Sequence, residues 1–311
     1  MYKVVVTTEL PKETMHRLTE QSFEVVYALT KDVLEKEIID TDVIISAVNV
    51  ELDTELLQRG QKLKFIANIG AGYSNISTEI VKEGNVKVAN TPTHDAIQST
   101  AELTVLLLLA VVRQLKASEQ IVEQNNFEGW RVTGYLGGHQ VSGKTATIIG
   151  FGRIGQTVGR LLAAFDVEVQ YVDPIPAKET HAKRVDLNTG LQTADFVILN
   201  ASLNEDNHHM IDADQFKLMQ KHAYLVNAGR GPLIHETALV DALDKQEIAG
   251  AALDVHEFEP EFTVALENRS NVVLTPHIGN DTYEARLEMA NSALNQVIHF
   301  IEGEYTSIDF V

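Results

Sequence analysis

Two α/β domains, each built around a doubly wound parallel sheet, are the fold that the sequence predicts. Three observations carry that expectation. Short β-branched runs alternate with helical spacings in two separate series, and a loop-rich stretch, 125–143, stands between them. The second series opens on an apolar run that leads into Gly150-Phe151-Gly152-Arg153-Ile154-Gly155. A chain of 311 residues also exceeds what one hydrophobic core usually serves.

In the first series the expected strands are Lys3–Val6, Phe23–Tyr27, Asp42–Ala47, Leu63–Ala67 and Val86–Ala89. Helical spacing fills the gaps at Glu13–Glu20, Val33–Ile39, Thr54–Gln58 and Thr78–Lys82. The strands are apolar almost throughout, which implies a sheet covered on both faces. Pro92 marks a loop over Asn90–Asp95, since it pushes Thr91 out of helical geometry. Ser99-Thr100-Ala101-Glu102 then has capping-box spacing and is expected to open a helix running to about Leu115. Its run Leu103–Val112 is apolar nearly all round, so it should be buried between layers or subunits.

The second series has expected strands at Thr145–Ile149, Val167–Val172, Phe196–Asn200, Ala223–Val226, Gly250–Asp254 and Asn271–Leu274. Helical patterns lie at Arg153–Phe165, Asp214–Gln220 and Glu236–Lys245, and a last one spans about Thr282–Ile301. The GxGxxG thus sits between a strand and a helix, the context its chemistry requires. Gly150 permits the tight turn, Gly152 lets amides approach a pyrophosphate, and Gly155 lets helix pack on strand. The first helical residues, Arg153 and Ile154, add amides that attract an anion. Asp173 stands eighteen residues beyond Gly155 at the end of the next strand, where a carboxylate accepts ribose hydroxyls and repels a 2′-phosphate. Pro174 and Ile175 follow, with no immediate arginine, so NAD is favoured over NADP, although Lys178 stands close by.

Arg230, Glu259 and His277 each lie in a loop just after one of three successive strands. Ligands bind at the carboxyl ends of strands in such sheets. Each residue alone has a plainer reading: an ion pair on an acidic surface, a solvated acid beside Glu257 and Glu261, a satisfied core histidine. Their joint placement beside a dinucleotide loop favours chemistry. Composition narrows the rest. With 25 basic and 44 acidic residues, the net charge of −19 argues against nucleic acid and polybasic membrane attachment. The absence of cysteine excludes a disulfide scaffold, a thiolate zinc site and a cysteine nucleophile. His208 and His209 are adjacent rather than at helical i, i+4 spacing, so no metal site is expected. Trp130 and Tyr135 suit a site mouth, an interface or a core equally. Residues Met1–Leu10 lack a basic segment followed by an apolar one, and Leu103–Val112 is half of what a bilayer span needs, so a soluble, cytoplasmic protein is expected.

Taken together, these motifs resemble the D-isomer-specific 2-hydroxyacid dehydrogenase family along essentially the whole chain. The match runs from Ile69-Gly70-Ala71-Gly72-Tyr73 through Ser99–Glu102 and the GxGxxG to the three strand-end segments. The runs 138–156 and 250–260 are most similar to glyoxylate/hydroxypyruvate reductases. The resemblance implies a flavodoxin-like substrate domain (1–98 and 286–311) interrupted by a Rossmann NAD-binding domain (99–285), with a hinge at the two crossings. It implies hydride transfer between NAD(H) and a small 2-oxo or 2-hydroxy acid. His277 would be the acid/base, Glu259 its partner, and Arg230 the group that holds the substrate carboxylate. Amides of Gly70, Ala71 and Gly72 would also grip that carboxylate, and Asp254 would bind the nicotinamide carboxamide. The apolar helix is the expected homodimer interface. Alternatives within the family are D-3-phosphoglycerate and D-lactate/D-2-hydroxyisocaproate dehydrogenases; outside catalysis, an NADH-sensing regulator shares the fold.

Overall fold

The computed structural model describes residues 1–178 and 180–311. The chain forms two compact units, Met1–Ala96 with Asn280–Val311, and Ile97–Gly279. The cuts therefore fall at 96/97 and 279/280 rather than at 98/99 and 285/286. A cut at 285/286 would split one continuous helix, Tyr283–Glu302, whose buried residues from Ala285 onward pack in the first unit.

The first unit alternates β1 (Lys3–Val6), α1 (Lys12–Thr19), β2 (Glu24–Tyr27), α2 (Lys31–Glu37), β3 (Val43–Ala47), α3 (Thr54–Gln58), β4 (Phe65–Ile69), α4 (Thr78–Glu83) and β5 (Lys87–Asn90). All its strand pairs are parallel, in the order β2-β1-β3-β4-β5. That is the flavodoxin-like order. Alternate residues feed two cores, as the pleat requires. Val5, Ile44, Ile66 and Val88 pack against Leu34, Ile38, Leu56 and Leu57 on one face.

In the second unit come α5 (His94–Val112, whose first turn belongs to the first unit), α6 (Leu115–Glu123), β6 (Thr145–Ile149), α7 (Arg153–Ala163), β7 (Glu168–Val172), β8 (Lys183–Arg184), α8 (Leu187–Thr193), β9 (Phe196–Leu199), α9 (Ala213–Leu218), β10 (Tyr224–Asn227), α10 (Glu236–Asp244), β11 (Gly250–Leu253) and β12 (Val272–Leu274). Its parallel sheet runs β12-β11-β10-β9-β6-β7-β8, the Rossmann order with one further strand. Ile148, Ile198 and Val226 face Leu108, Val158 and Leu162 of α5 and α7. Leu199, Leu225 and Leu253 face Phe216, Leu239 and Leu243 of α9 and α10. The chain then returns to the first unit as α11 (Tyr283–Glu302), where Met289, Leu294, Val297 and Phe300 cover Val4, Ile45 and Phe65.

Every expected strand is present with its ends within two residues of expectation. One helix start differs. α5 opens at His94, so Ser99 lies inside it and forms no N-terminal capping box. Only the residues beyond Pro92 are free of its restriction, and the helix turns there at once. Glu102 instead takes a hydrogen bond from the Gln98 side chain at 2.7 Å, one turn back. The helix also ends early: Gln114 adopts φ +54° and separates α5 from α6. By length and composition α5 could cross a membrane, but 56% of its apolar window is buried in the fold.

Candidate active site

The strand order of the second sheet reverses at β6, which has β7 on one side and β9 on the other. The glycine turn occupies the carboxyl end of β6, at this switch point. Gly150 has φ +87°, and a Cβ there would run into the backbone of Ala201 after β9. A Cβ on Gly155 would strike the Gly150 carbonyl. Gly152 differs, because among the described residues a Cβ there would meet nothing within 4 Å beyond its chain neighbours. It is also the N-cap of α7 and supplies no side-chain acceptor to the first amides of that helix. Arg153 is exposed at the first turn, whereas the Ile154 side chain packs on the core and leaves only its backbone for a ligand.

Asp173 directly follows β7 and reaches back to this turn. One carboxylate oxygen accepts the Phe151 amide at 2.8 Å and the other accepts the Ile175 amide at 2.8 Å. A carboxylate offers about four acceptor positions, so two remain for ribose hydroxyls. Two groups here escaped sequence reasoning. Asn200, at the end of β9, has both side-chain polar atoms buried without a hydrogen bond. Arg184, on the edge strand, donates to the carbonyls of Asp173 (3.0 Å) and Pro174 (2.8 Å). The pairing β7–β8 could have hinted at Arg184, but a two-residue strand leaves almost no pattern.

Strands β10, β11 and β12 are neighbours, and the loops after them carry Arg230, Glu259 and His277. The Glu259 carboxylate accepts from His277 Nδ1 at 2.9 Å through one oxygen and from the His256 amide at 2.9 Å through the other. Burial opposes its charge, but those two hydrogen bonds and the nearby imidazoles hold its carboxyl below the ordinary range. Arg230 Nη1 donates to the Gly229 carbonyl at 2.8 Å. Its burial pulls the guanidinium pKa down while the charge of Glu259 pulls it up. Among the described residues, His277 Nε2 has no partner. The bond at Nδ1 to a carboxylate makes Nδ1 the donor, which leaves Nε2 as the exchanging nitrogen.

His277 itself has φ +54°, a left-handed conformation uncommon outside glycine. Asp254 holds it there. The His277 amide donates to the Asp254 carbonyl at 2.8 Å, and the Asp254 carboxylate accepts the Ile278 and Gly279 amides, both at 2.8 Å, and the Thr275 hydroxyl at 2.7 Å. Asp254 is 1% exposed. Its first task is thus to anchor the His277 loop, and any carboxamide must use what acceptor capacity remains.

Residues 105–279 match the family model for the NAD-binding domain of D-isomer-specific 2-hydroxyacid dehydrogenases. A Staphylococcus haemolyticus protein, provisionally named a 2-hydroxyacid dehydrogenase, is 43% identical over 98% of both chains. The chain belongs to the D-isomer-specific 2-hydroxyacid dehydrogenase family. It is accordingly an NAD-dependent oxidoreductase. Two solved members align over nearly the whole chain. A D-lactate dehydrogenase of Aquifex aeolicus, complexed with NAD and lactic acid, gives a TM-score of 0.89 at 26% identity, covering 99% of this chain and 98% of that one. A glyoxylate reductase of Paecilomyes thermophila gives 0.88 at 28%, covering 97% and 95%. The open space at Gly152, the uncapped start of α7 and the orphaned amide of Asn200 all fit NAD in this dehydrogenase.

In the first unit, Gly70 has φ +144°, and a Cβ there would run into Val48. Its amide donates to the Thr91 hydroxyl at 2.9 Å, so it shapes the loop and is not open to substrate. The amides of Ala71 and Gly72 donate to no group among the described residues. Trp130 is 85% exposed, which removes the core reading. The Tyr135 hydroxyl is tied to the Gly129 carbonyl at 2.6 Å, with Arg131 over its ring.

Proposed function

We propose that this dehydrogenase works as a D-specific reductase of small 2-oxo acids of the glyoxylate and hydroxypyruvate type. The carrying observation is the His277–Glu259 pair at 2.9 Å, with Nε2 left to exchange a proton, in the strand-end loop beside that of Arg230. NAD(H), when bound, supplies or accepts hydride at nicotinamide C4. In the reductive direction His277 Nε2 donates a proton to the oxygen that was the 2-oxo carbonyl; in the reverse direction it takes the proton back. Glu259 fixes the tautomer and stabilises the imidazolium. Arg230 holds the substrate carboxylate with a planar fork of donors. Gly150, Gly152, Gly155, the backbone of Arg153 and Ile154, and Asp173 hold the dinucleotide. Asp254 positions His277 and offers the carboxamide its remaining lone pair.

The glyoxylate reductase among the structural relatives supports the small substrate. The test is NADH oxidation against glyoxylate, hydroxypyruvate, pyruvate, branched 2-oxo acids and 3-phosphohydroxypyruvate. Turnover strongest with glyoxylate or hydroxypyruvate is expected. Preference for another acid moves the assignment within the family, and no turnover with any of them favours an NADH sensor. The exposed side chains of Leu106, Phe127, Trp130 and Val132 support a homodimer, expected at twice the chain mass in sedimentation.

A further inference from the structure

Glu236 is 1% exposed, yet it carries a carboxylate at the first turn of α10, six residues after Arg230. Its two oxygens both reach into the loop that carries Glu259. Oε1 accepts the Glu257 amide at 2.9 Å, and Oε2 accepts the Thr263 hydroxyl. Glu257 returns the bond, since its Oε2 accepts the Glu236 amide at 2.8 Å while its Oε1 meets His209 Nε2 at 2.6 Å. The two loops also touch through their backbones: a Cβ on Gly231 would run into the His256 carbonyl.

His256 extends the connection. It is 8% exposed, its amide donates to Glu259, and its Nε2 donates to the Thr275 carbonyl at 2.9 Å, two residues before His277. Its Nδ1 is buried with no hydrogen bond and lies 3.9 Å from Glu236 Oε1. One buried carboxylate thus ties the start of α10 after Arg230 to the loop that holds Glu259, and His256 links that loop to the one that holds His277. Burying a charge is costly unless several donors meet it, and none of these donors belongs to a reacting group.

We propose that Glu236 is a positioning residue for the reduction, its carboxylate tying the start of α10 after Arg230 to the loop that sets Glu259 against His277. The proposal rests on the roles given above to Glu259 and His277. Loosening the tie weakens the contacts that keep Glu259 ionised, those from His277 and His256, while Arg230 is the other charge facing it. The carboxyl then protonates at higher pH, and the acid limb of kcat/KM moves upward.

The experiment compares Glu236→Ala, Glu236→Gln and Thr263→Val by kcat, KM for the best 2-oxo acid, NADH affinity, pH profile and melting. Glu236→Ala is expected to lower kcat by about tenfold or more, with NADH affinity within about twofold and the acid limb raised, because small misplacements of catalytic groups are expensive. Glu236→Gln is expected to stay within about threefold of wild type. Its amide oxygen still accepts from Glu257, and the Thr263 hydroxyl can turn to accept from the amide NH2. A folded Glu236→Ala with wild-type kcat and an unmoved limb overturns the proposal, whatever its melting temperature, and so does a Gln variant as impaired as the Ala variant. Where Glu236→Ala does not fold, Thr263→Val decides: lower kcat and a raised limb support the tie, and no change in either overturns it. An inactive His277→Ala beside a normal Glu236→Ala fails this proposal alone. An active His277→Ala fails the catalytic reading and takes the proposal with it.

Discussion

Gly152→Ala separates the cofactor cradle from the fold. Gly152 has φ −71° and ψ −160°, extended values open to alanine, and among the described residues the new Cβ would meet no atom within 4 Å beyond its chain neighbours. Loss of glycine freedom in the unfolded chain contributes about 0.4–1 kcal/mol in favour of the variant. For units of this size that corresponds to a rise of about 1–4 °C in Tm. The same methyl group occupies the space through which the α7 amides approach the pyrophosphate. Displacing one charge-assisted hydrogen bond costs about 1.5–3 kcal/mol, or about 10- to 150-fold in NADH affinity. Differential scanning fluorimetry and NADH fluorescence titration read the two quantities separately. NADH affinity within about twofold of wild type would refute the cradle, and a fall in Tm of several degrees would refute the claim that the space is empty of protein. Gly155→Ala is the contrast, since its Cβ meets the Gly150 carbonyl and both quantities should fall.

Arg230→Lys should lower kcat/KM by about 10²-fold or more, because an ammonium cannot reproduce a bidentate fork; a near-normal value in steady-state assays would count against the carboxylate clamp. His277→Ala should lose most of kcat while NADH still binds by titration. Asp254→Ala leaves two amides and a hydroxyl without their acceptor around a left-handed His277, so denaturant unfolding should show a loss of about 2–4 kcal/mol with kcat reduced. Glu259 has its carboxyl lowered on folding, so its pair with His277 stabilises the protein above the ordinary Glu pKa. That contribution disappears as pH falls through the depressed value. The kcat/KM profile should fall on the same acid side, and Glu259→Gln should be slower overall and lack that limb.

Most of the fold is legible because parallel strands buried on both faces must be continuously apolar, and a crossover connection, here most often a helix, must return the chain between them. The losses have local causes. Ser99–Glu102 has the letters of a capping box, but Pro92 upstream sets where α5 begins, and a five-residue offset places the motif mid-helix. β8, two charged residues at a sheet edge, has no apolar pattern to detect. α8 begins at an Asp186 cap that accepts the Thr189 amide at 3.0 Å, yet its sequence Leu-Asn-Thr-Gly-Leu-Gln-Thr has few strong helix formers. Packing of Leu191 into the core decides its state, not propensity.

Site residues divide by whether spatial order follows chain order. From β9 to β12 the sheet is laid down in sequence, so Arg230, Glu259 and His277 become neighbours simply by following successive strands. With adjacent strands about 4.8 Å apart, three consecutive strand ends start within about 10 Å of one another. Asn200 escaped because its strand meets β6 across the reversal of the sheet, where neighbours in space are some fifty residues apart in sequence. Glu236 escaped for another reason. Its carboxylate meets the Glu257 amide and the Thr263 hydroxyl, and its own amide meets the Glu257 carboxylate, all in the loop between β11 and β12, some twenty residues on, and no spacing in the chain encodes such a meeting. A residue that touches substrate sits where strands end, and its place can be counted. One that braces those residues sits wherever their loops turn back, and only packing reveals it.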